Sequence, residues 1–273
     1  MSKKRKKIGL ALGSGSSRGY AHLGVLKVLQ ENNIPIDFIA GASAGAVVAS
    51  LYSLYEGNLE KVEKVLTDWK EFRSLIDFSF SGGIIKGKKI FDYLEKKFEE
   101  KKFEDLKIPV SVVATDYDSS QKVDIKSGDI ALGVRASMSI PFVFKLVETG
   151  GKRLADGGLS SPVPIKTVRD MGADIVIAVR IEDKAVNNNL NLYNMTVRSM
   201  EIMQHNLSEY EIKEADVLID PYFENFGLLG VHKILGGKTS DIIAEGERAA
   251  LREIDSIKKL LGIKKKDQGI YKL

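Results

Sequence analysis

The chain has 273 residues, which is long enough for one large domain with a substantial buried core. Its composition, 44% hydrophobic and 29% charged, is typical of globular proteins and unlike that of disordered, collagenous or membrane-spanning ones. The absence of cysteine excludes a disulfide, a thiolate metal site and a cysteine nucleophile, and three widely separated histidines do not suit a histidine metal site. The net charge of +4 is too small to predict a nucleic-acid-binding face.

The predicted elements alternate between short apolar strands and helices. Residues 8–12 form a buried strand that enters a glycine-rich loop and a helix, and residues 34–40 form a second strand before another loop and helix. Further strands are predicted at 108–114, 122–126, 142–148, 153–155, 173–181 and 217–220, and further helices at 59–72, 88–101, 130–138, 190–214 and 239–261, with one more beginning at Pro164. The repeated strand–loop–helix unit predicts an α/β fold whose central sheet is mainly parallel.

The chain shows no internal repeat and no low-complexity linker, so a single domain is predicted over residues 8–262. A basic, disordered tail is expected at 1–7 and a second basic tail at 263–273. Residues 8–12 are too short an apolar run for a signal peptide, which predicts a cytoplasmic protein. The cations of 3–7 either solubilise the chain or bring it to the inner surface of an anionic membrane; the sequence makes no prediction of the oligomeric state.

The candidate nucleophile is Ser43, at the centre of Gly41-Ala42-Ser43-Ala44-Gly45. This sequence fits the G-x-S-x-G pattern and lies between a predicted strand and a predicted helix, the context in which the pattern is informative. The helix dipole and free N–H groups at this position favour an attacking alkoxide and the oxyanion that it generates. The alternative is a small-residue turn that serves only close packing.

A serine nucleophile needs a base, and α/β-hydrolases take a late histidine for that purpose. His205 lies on the polar side of a predicted long helix and His232 in a loop, and neither context favours catalysis. His22, on the first helix, is expected to pack or to cap.

Asp156 is the better candidate for the base, because Gly157 and Gly158 follow it and let the backbone pass close to its carboxylate. Its short predicted strand would bring it towards Ser43. The alternative is an ordinary Asp-Gly hairpin turn.

The third motif is a loop of small residues that ends with an arginine and a glycine. Its members are Gly13, Ser14, Gly15, Ser16, Ser17, Arg18 and Gly19. Arg18 stands where a dinucleotide fingerprint requires its third glycine, and the loop lacks the Gly-Lys-Ser/Thr ending of a Walker loop. What remains is a row of N–H groups that suits an oxyanion hole or a phosphate cradle.

These three motifs, in this order, resemble those of the patatin-like phospholipase family, in its small bacterial single-domain type. Ser139-Ile140-Pro141 resembles the family's Ser/Ala-x-Pro segment ahead of the aspartate, and the resemblance covers about residues 8–181. The chain departs from the family's Gly-Gly-Gly-x-Arg-Gly loop at two glycines, so Ser16 must tolerate the backbone angles of the loop.

The resemblance implies a three-layer α/β/α fold, no cofactor and no metal, and a Ser43–Asp156 dyad that works without histidine. It implies that the enzyme hydrolyses lipid or other acyl esters through an acyl-enzyme. The oxyanion hole would be formed by Gly15, Ser16, Ser17 and Arg18, and the remaining motif residues would be Gly13, Gly19, Gly41, Gly45, Gly157 and Gly158. Acyl transfer by the same dyad and a non-catalytic module that binds an anion or a protein are the alternatives.

Residues 74–87 are rich in Gly, Ser and Phe and separate two predicted helices. Apolar side chains on a glycine-hinged loop suit a lid over a lipid-binding slot. A core-packing loop is the equal alternative.

Overall fold

A computed structural model describes residues 5–67, 85–183, 192–223 and 239–263, and the description below concerns these residues. Ten strands are found in these ranges: β1 Ile8–Leu12, β2 Phe38–Ala42, β3 Val110–Asp116, β4 Lys122–Ile125, β5 Val147–Thr149, β6 Lys152–Asp156, β7 Ile175–Val179, β8 Glu182–Asp183, β9 Val217–Ile219 and β10 Tyr222–Phe223. The α-helices of the same ranges are α1 Ala21–Glu31, α2 Ala44–Leu54, α3 Leu59–Thr67, α4 Lys88–Phe98, α5 Ile130–Ser137, α6 Ile165–Asp170, α7 Leu192–Glu211 and α8 Thr239–Leu260. Short 3₁₀ helices lie at Ser16–Tyr20, Phe103–Asp105, Gly157–Leu159 and Ile212–Glu214.

The main sheet has the strand order β5-β6-β3-β2-β1-β7-β9, and β4 pairs with β3. The pairs of β1 with β2 and β7, of β2 with β3 and of β7 with β9 are parallel, whereas β4, β5 and β6 pair antiparallel. The sheet is therefore parallel at its centre and antiparallel at the edge that carries β6. The strands β8 and β10 form a separate parallel pair.

Helices cover both faces of this sheet, because successive residues of its central strands enter two different cores. In β1, Leu10 and Leu12 join the larger core, which also contains residues of α1, α2 and α8. Ala11, between them, joins a smaller core against α6 and the 3₁₀ turn that follows α7. Two buried faces explain why the central strands are almost entirely apolar. The result is the expected three-layer α/β/α arrangement.

The second strand was expected at 34–40 and is found at Phe38–Ala42. Pro35 lacks an N–H group for the ladder, and the N–H of Ile34 is used at the end of α1, where it donates to the Leu29 carbonyl. The strand therefore ends immediately before Ser43, two residues later than the apolar pattern suggested.

The strand expected at 142–148 is shorter and starts at Val147. Phe144 instead forms a bridge with Ile85, which belongs to the last part of the expected lid. Residues 74–84 of that segment lie outside the described residues, so the lid stays a prediction.

The basic segment that was expected to be a free tail at 1–7 is attached to the domain over its described part. The guanidinium of Arg5 donates two hydrogen bonds to Asp37, of 2.8 and 2.6 Å, and the N–H of Lys7 donates to Asp174 at 2.7 Å. None of the helices in the described ranges is long and apolar enough to cross a membrane.

Candidate active site

Ser43 lies on a sharp turn between the end of β2 and the start of α2. Its φ of 52° and ψ of −117° place it where a residue with a side chain is strained by about 1 to 3 kcal/mol. The turn is also crowded: a Cβ atom on Gly45 would lie 2.1 Å from the Leu12 carbonyl oxygen, and one on Gly41 would lie 2.4 Å from the Gly45 carbonyl oxygen. The two glycines of the motif therefore allow the turn to close, with Ser43 at its tip, where its side chain is buried against the neighbouring segments.

The backbone of this turn is held by Ser137, at the end of α5. The N–H of Ser43 donates to Ser137 Oγ at 2.9 Å, and Ser137 Oγ donates in turn to the Val113 carbonyl at 2.6 Å. Ser137 is completely buried. The sequence analysis missed this residue, although a serine on the apolar side of a predicted helix was a usable signal.

Asp156 is the last residue of β6 and is fixed through its backbone as well as its side chain. Its N–H donates to the Ser139 carbonyl at 2.9 Å, and its carbonyl accepts from Thr115 Oγ1 at 2.8 Å. Its Oδ1 accepts from the N–H of Gly158 at 2.8 Å. The hydroxyl of Ser139 donates to the Arg135 carbonyl at 2.8 Å and accepts from Arg135 Nη1 at 2.6 Å, which gives a serine at this position a structural role.

The carboxyl group of Asp156 is almost completely buried, and its Oδ2 accepts no hydrogen bond of ordinary geometry from the described residues. Burial raises the pKa of Asp156 to about 6, because it disfavours the charged form more than the interactions with the Ser43 hydroxyl and the Gly158 N–H favour it. Oδ2 is therefore an open acceptor on a carboxylate that is unusually basic.

The glycine-rich loop leads from β1 into the 3₁₀ helix. Ser16 has a φ of 49°, so it does adopt the left-handed backbone that a glycine would take more readily. In the described part of the chain, the N–H groups of Gly15 and Ser16 have no hydrogen-bond acceptor. Arg18 is buried, donates from Nε to the Gly15 carbonyl at 3.2 Å and lies 3.6 Å from Glu201. Arg18 thus stabilises the conformation of the loop.

A cavity of about 20 Å³, with room for about one water molecule, brings these segments together. Its lining residues are Ser14, Gly15, Ser16, Ser43, Ile140, Pro141, Asp156, Leu159, Met200, Glu201 and Gln204. Of the predicted site residues, Ser43, Asp156, Gly15 and Ser16 meet in this cavity. Arg18 lines a neighbouring cavity of about 290 Å³, and Ser17 lines neither.

Helix α7 forms one wall of the small cavity, through Met200, Glu201 and Gln204. Glu201 and Gln204 also line the larger cavity, so α7 forms the wall between the two. No pattern in the sequence indicated this role, because α7 follows the motif residues by more than 30 positions and reaches them only through the tertiary structure.

The histidines do not meet Ser43. His205 Nδ1 lies 2.7 Å from Glu182 Oε2 and lines only the larger cavity. His22 is buried beneath the glycine-rich loop. His232 lies outside the described residues. Within the described ranges, no group of three or more His, Asp and Glu side chains has the spacing to hold a metal ion.

A model of the patatin-like phospholipase family matches residues 10–169 of the chain. The matched region includes the glycine-rich loop, Ser43 and Asp156.

Curated relatives match over a similar region. An uncharacterized NTE family protein of Mycobacterium tuberculosis is 37% identical over 178 residues, which are 64% of this chain and 49% of the relative. The patatin-like phospholipase domain-containing protein 6 of Homo sapiens is 31% identical over 182 residues, 64% of this chain and 13% of the relative. The neuropathy target esterase sws of Drosophila melanogaster is 32% identical over 182 residues, which are again 64% of this chain and 13% of the relative. The chain thus matches about half or less of the length of these relatives.

Among solved structures, that of VipD from Legionella pneumophila superposes with a TM-score of 0.63 over 93% of this chain and 67% of VipD, at 15% identity. This likeness supports the fold that the strands and helices already define.

Proposed function

The chain belongs to the patatin-like phospholipase family, and on that premise we propose that it is a serine acyl hydrolase that cleaves carboxylic esters of lipids with Ser43 and Asp156. One observation carries the proposal. One small cavity is lined by Ser43 on its strained turn, by Asp156, whose Oδ2 is open, and by Gly15 and Ser16, whose N–H groups are unused. A nucleophile, a base and oxyanion donors are the three components that acyl transfer needs.

In the first step, Asp156 accepts the proton of the Ser43 hydroxyl while Ser43 Oγ attacks the ester carbonyl. A pKa of about 6 leaves most of Asp156 ionised at neutral pH and still makes it a better proton acceptor than an ordinary aspartate. The negative charge that develops on the carbonyl oxygen is stabilised by the N–H groups of Gly15 and Ser16 and by that of Ala44 at the start of α2. Each such donor typically lowers the barrier by about 3 kcal/mol.

In the second step the tetrahedral intermediate collapses, the C–O bond to the alcohol breaks, and the alcohol leaves with the proton from Asp156. The acyl group is now an ester of Ser43. Water then gives a proton to Asp156 and attacks this ester, and the acid leaves as Ser43 recovers its proton. The cavity beside Ser43 already has the volume of one water molecule.

The same cavity is too small for an ester with an acyl chain. We therefore expect α7 to move aside at Met200, Glu201 and Gln204 when a substrate binds. We expect the substrate to enter between α7 and the segment of Ile140 and Pro141, which forms the opposite wall. The movement would leave the Ser43 turn intact, because that turn is held by hydrogen bonds to α5 and β3 and not by α7.

We further propose that the enzyme works in the cytoplasm, with peripheral contact to the inner membrane surface. The support for membrane contact is the basic segment at 3–7, since each cation near an anionic bilayer contributes about 1 kcal/mol of attraction. Arg5 is paired with Asp37, so the lysines of this segment carry the argument.

The proposal is tested by reaction of the full chain with a fluorophosphonate probe, followed by peptide mapping of the adduct. We expect a covalent adduct on Ser43 and release of fatty acid from p-nitrophenyl esters and from phospholipids. Assays with an added alcohol separate hydrolysis from acyl transfer, which would yield a new ester in place of free acid. An adduct on another serine, or a protein that neither reacts with the probe nor releases acid, would contradict the proposal.

A further inference from the structure

His22, near the start of α1, is completely buried, and the proposed mechanism makes no use of it. Its Nε2 lies 2.9 Å from the carbonyl oxygen of Gly13, the first residue of the glycine-rich loop. Since a carbonyl oxygen can only accept, Nε2 carries the proton in this contact and donates it to Gly13. Burial lowers the pKa of His22 to about 4, more than the bond to Gly13 raises it, so the ring is neutral at physiological pH.

The peptide group between Gly13 and Ser14 is held at both of its ends. Its carbonyl accepts from His22, and its N–H, which belongs to Ser14, donates to the Pro162 carbonyl at 2.8 Å. The preceding N–H, that of Gly13, donates to the Val179 carbonyl at 2.9 Å. The orientation of this peptide sets the direction of the chain into Gly15, which lines the cavity at Ser43.

The Gly13 carbonyl also lies next to the helix that begins after the nucleophile. A Cβ atom on Gly45 would approach this oxygen to 2.8 Å, so the oxygen lies between the His22 ring and the first turn of α2. Without the His22 donor, a buried carbonyl in this position would have no partner, which is costly. Rotation of the peptide would relieve that cost and would displace the N–H groups that follow it.

We propose that His22 is a positioning residue for ester hydrolysis, which acts through the Gly13 carbonyl to keep the N–H groups of Gly15 and Ser16 directed at the cavity of Ser43. This inference rests on the proposed function. The role differs from that of a general base, because the neutral ring donates a hydrogen bond and does not exchange a proton with substrate.

The test compares His22→Gln with His22→Met in the full chain. The amide nitrogen of glutamine is as many bonds from Cα as Nε2 of histidine, so it can donate to Gly13. Methionine has a similar length and no donor. Both variants lose the imidazole ring, so the loss of packing is common to the two, and the midpoint of thermal unfolding monitors it.

With wild-type labelling at Ser43 as the reference, we expect His22→Met to lower kcat and the rate of fluorophosphonate labelling about 100-fold, the scale of a lost oxyanion donor, with little change in KM. We expect His22→Gln to stay within about 10-fold of the wild type, because it retains the donor. Equal losses of kcat in the two variants would overturn the proposal. A wild type that is not labelled at all would instead count against the proposed function.

A second measurement needs no substitution at position 22. Nitrogen NMR of the wild type, with its three histidines assigned through His205→Ala and His232→Ala, reports which ring nitrogen is protonated. We expect the Nε2–H form of His22 at pH 7, and a shift of that signal when a phosphonate oxygen occupies the oxyanion position in the Ser43 adduct. An Nδ1–H form, or a signal that ignores the adduct, would overturn the proposal even if neither variant at position 22 folds.

Discussion

Replacing Asp156 by Asn should abolish catalysis and stabilise the protein at the same time. Asparagine keeps the shape of the side chain and can still accept the hydrogen bond from the Gly158 N–H, but it cannot take a proton from Ser43. Because it is never charged, it also avoids the burial of a carboxylate with a pKa of about 6 instead of the ordinary 3.8. The substitution therefore separates the chemical role of Asp156 from its energetic cost.

The size of the effect follows from this pKa. A carboxyl group whose pKa is raised on folding favours the folded state while it is protonated, and this stability is lost as the pH rises from the unfolded pKa through the folded one. Above pH 6 the ionised Asp156 costs about 3 kcal/mol relative to the unfolded chain. The stability of Asp156→Asn relative to the wild type should thus increase by about 2 kcal/mol between pH 4.5 and pH 7.5.

The assay is urea unfolding of both proteins at several pH values, with hydrolysis of a p-nitrophenyl ester measured in parallel. Taking the difference between the two proteins cancels other titrating groups, including Glu211, whose pKa burial raises to about 7. A stability difference that does not change with pH would refute the assignment of a raised pKa to Asp156. An Asn variant that retained turnover would refute its role as the base.

Four further predictions concern Ser43, the pH profile, Gly45 and Ser137. Ser43→Ala should end ester hydrolysis and fluorophosphonate labelling, and Ser43→Gly should be more stable than Ser43→Ala by about 1 kcal/mol in urea unfolding, since glycine relieves the positive φ. In the wild type, kcat/KM should rise tenfold per pH unit below about pH 6 and level off above it, because Asp156 must be ionised to act as base. His205→Ala should leave this inflection in place. Loss of the inflection in that variant would implicate His205 in a triad. Gly45→Ala should cost about 3 kcal/mol or more, measured by urea unfolding, because its Cβ would collide with backbone. Ser137→Ala should cost about 1 to 3 kcal/mol and lower kcat, because the Ser43 N–H loses its buried acceptor; unchanged stability would contradict that role.

Much of the fold could be predicted from the sequence because it depends on local patterns. Short apolar runs separated by small-residue loops indicated the parallel strands, and the helix at 239–261 is found within one residue of its predicted end. The predicted strand boundaries were less accurate where a backbone N–H or carbonyl group bonds outside the sheet, as the N–H of Ile34 does at the end of α1. The strand at 142–148 failed for a similar reason, since Phe144 pairs with Ile85.

The sequence by itself also determined the candidates for chemistry: the serine in its glycine-flanked turn, the aspartate ahead of two glycines, and the small-residue loop. These motifs could be recognised because each needs particular residue types at a short, fixed spacing. Glycines are needed where two backbone segments pass close to each other, and small residues where several N–H groups point at one site. Only the tertiary structure decided which groups meet. The burial that makes Asp156 basic and the wall that α7 adds to the cavity depend on residues that are distant in the chain, and such contacts leave no periodic pattern along it. The contact between His22 and the Gly13 carbonyl spans only nine residues, but the turn of the chain that brings the two together is visible only in the structure.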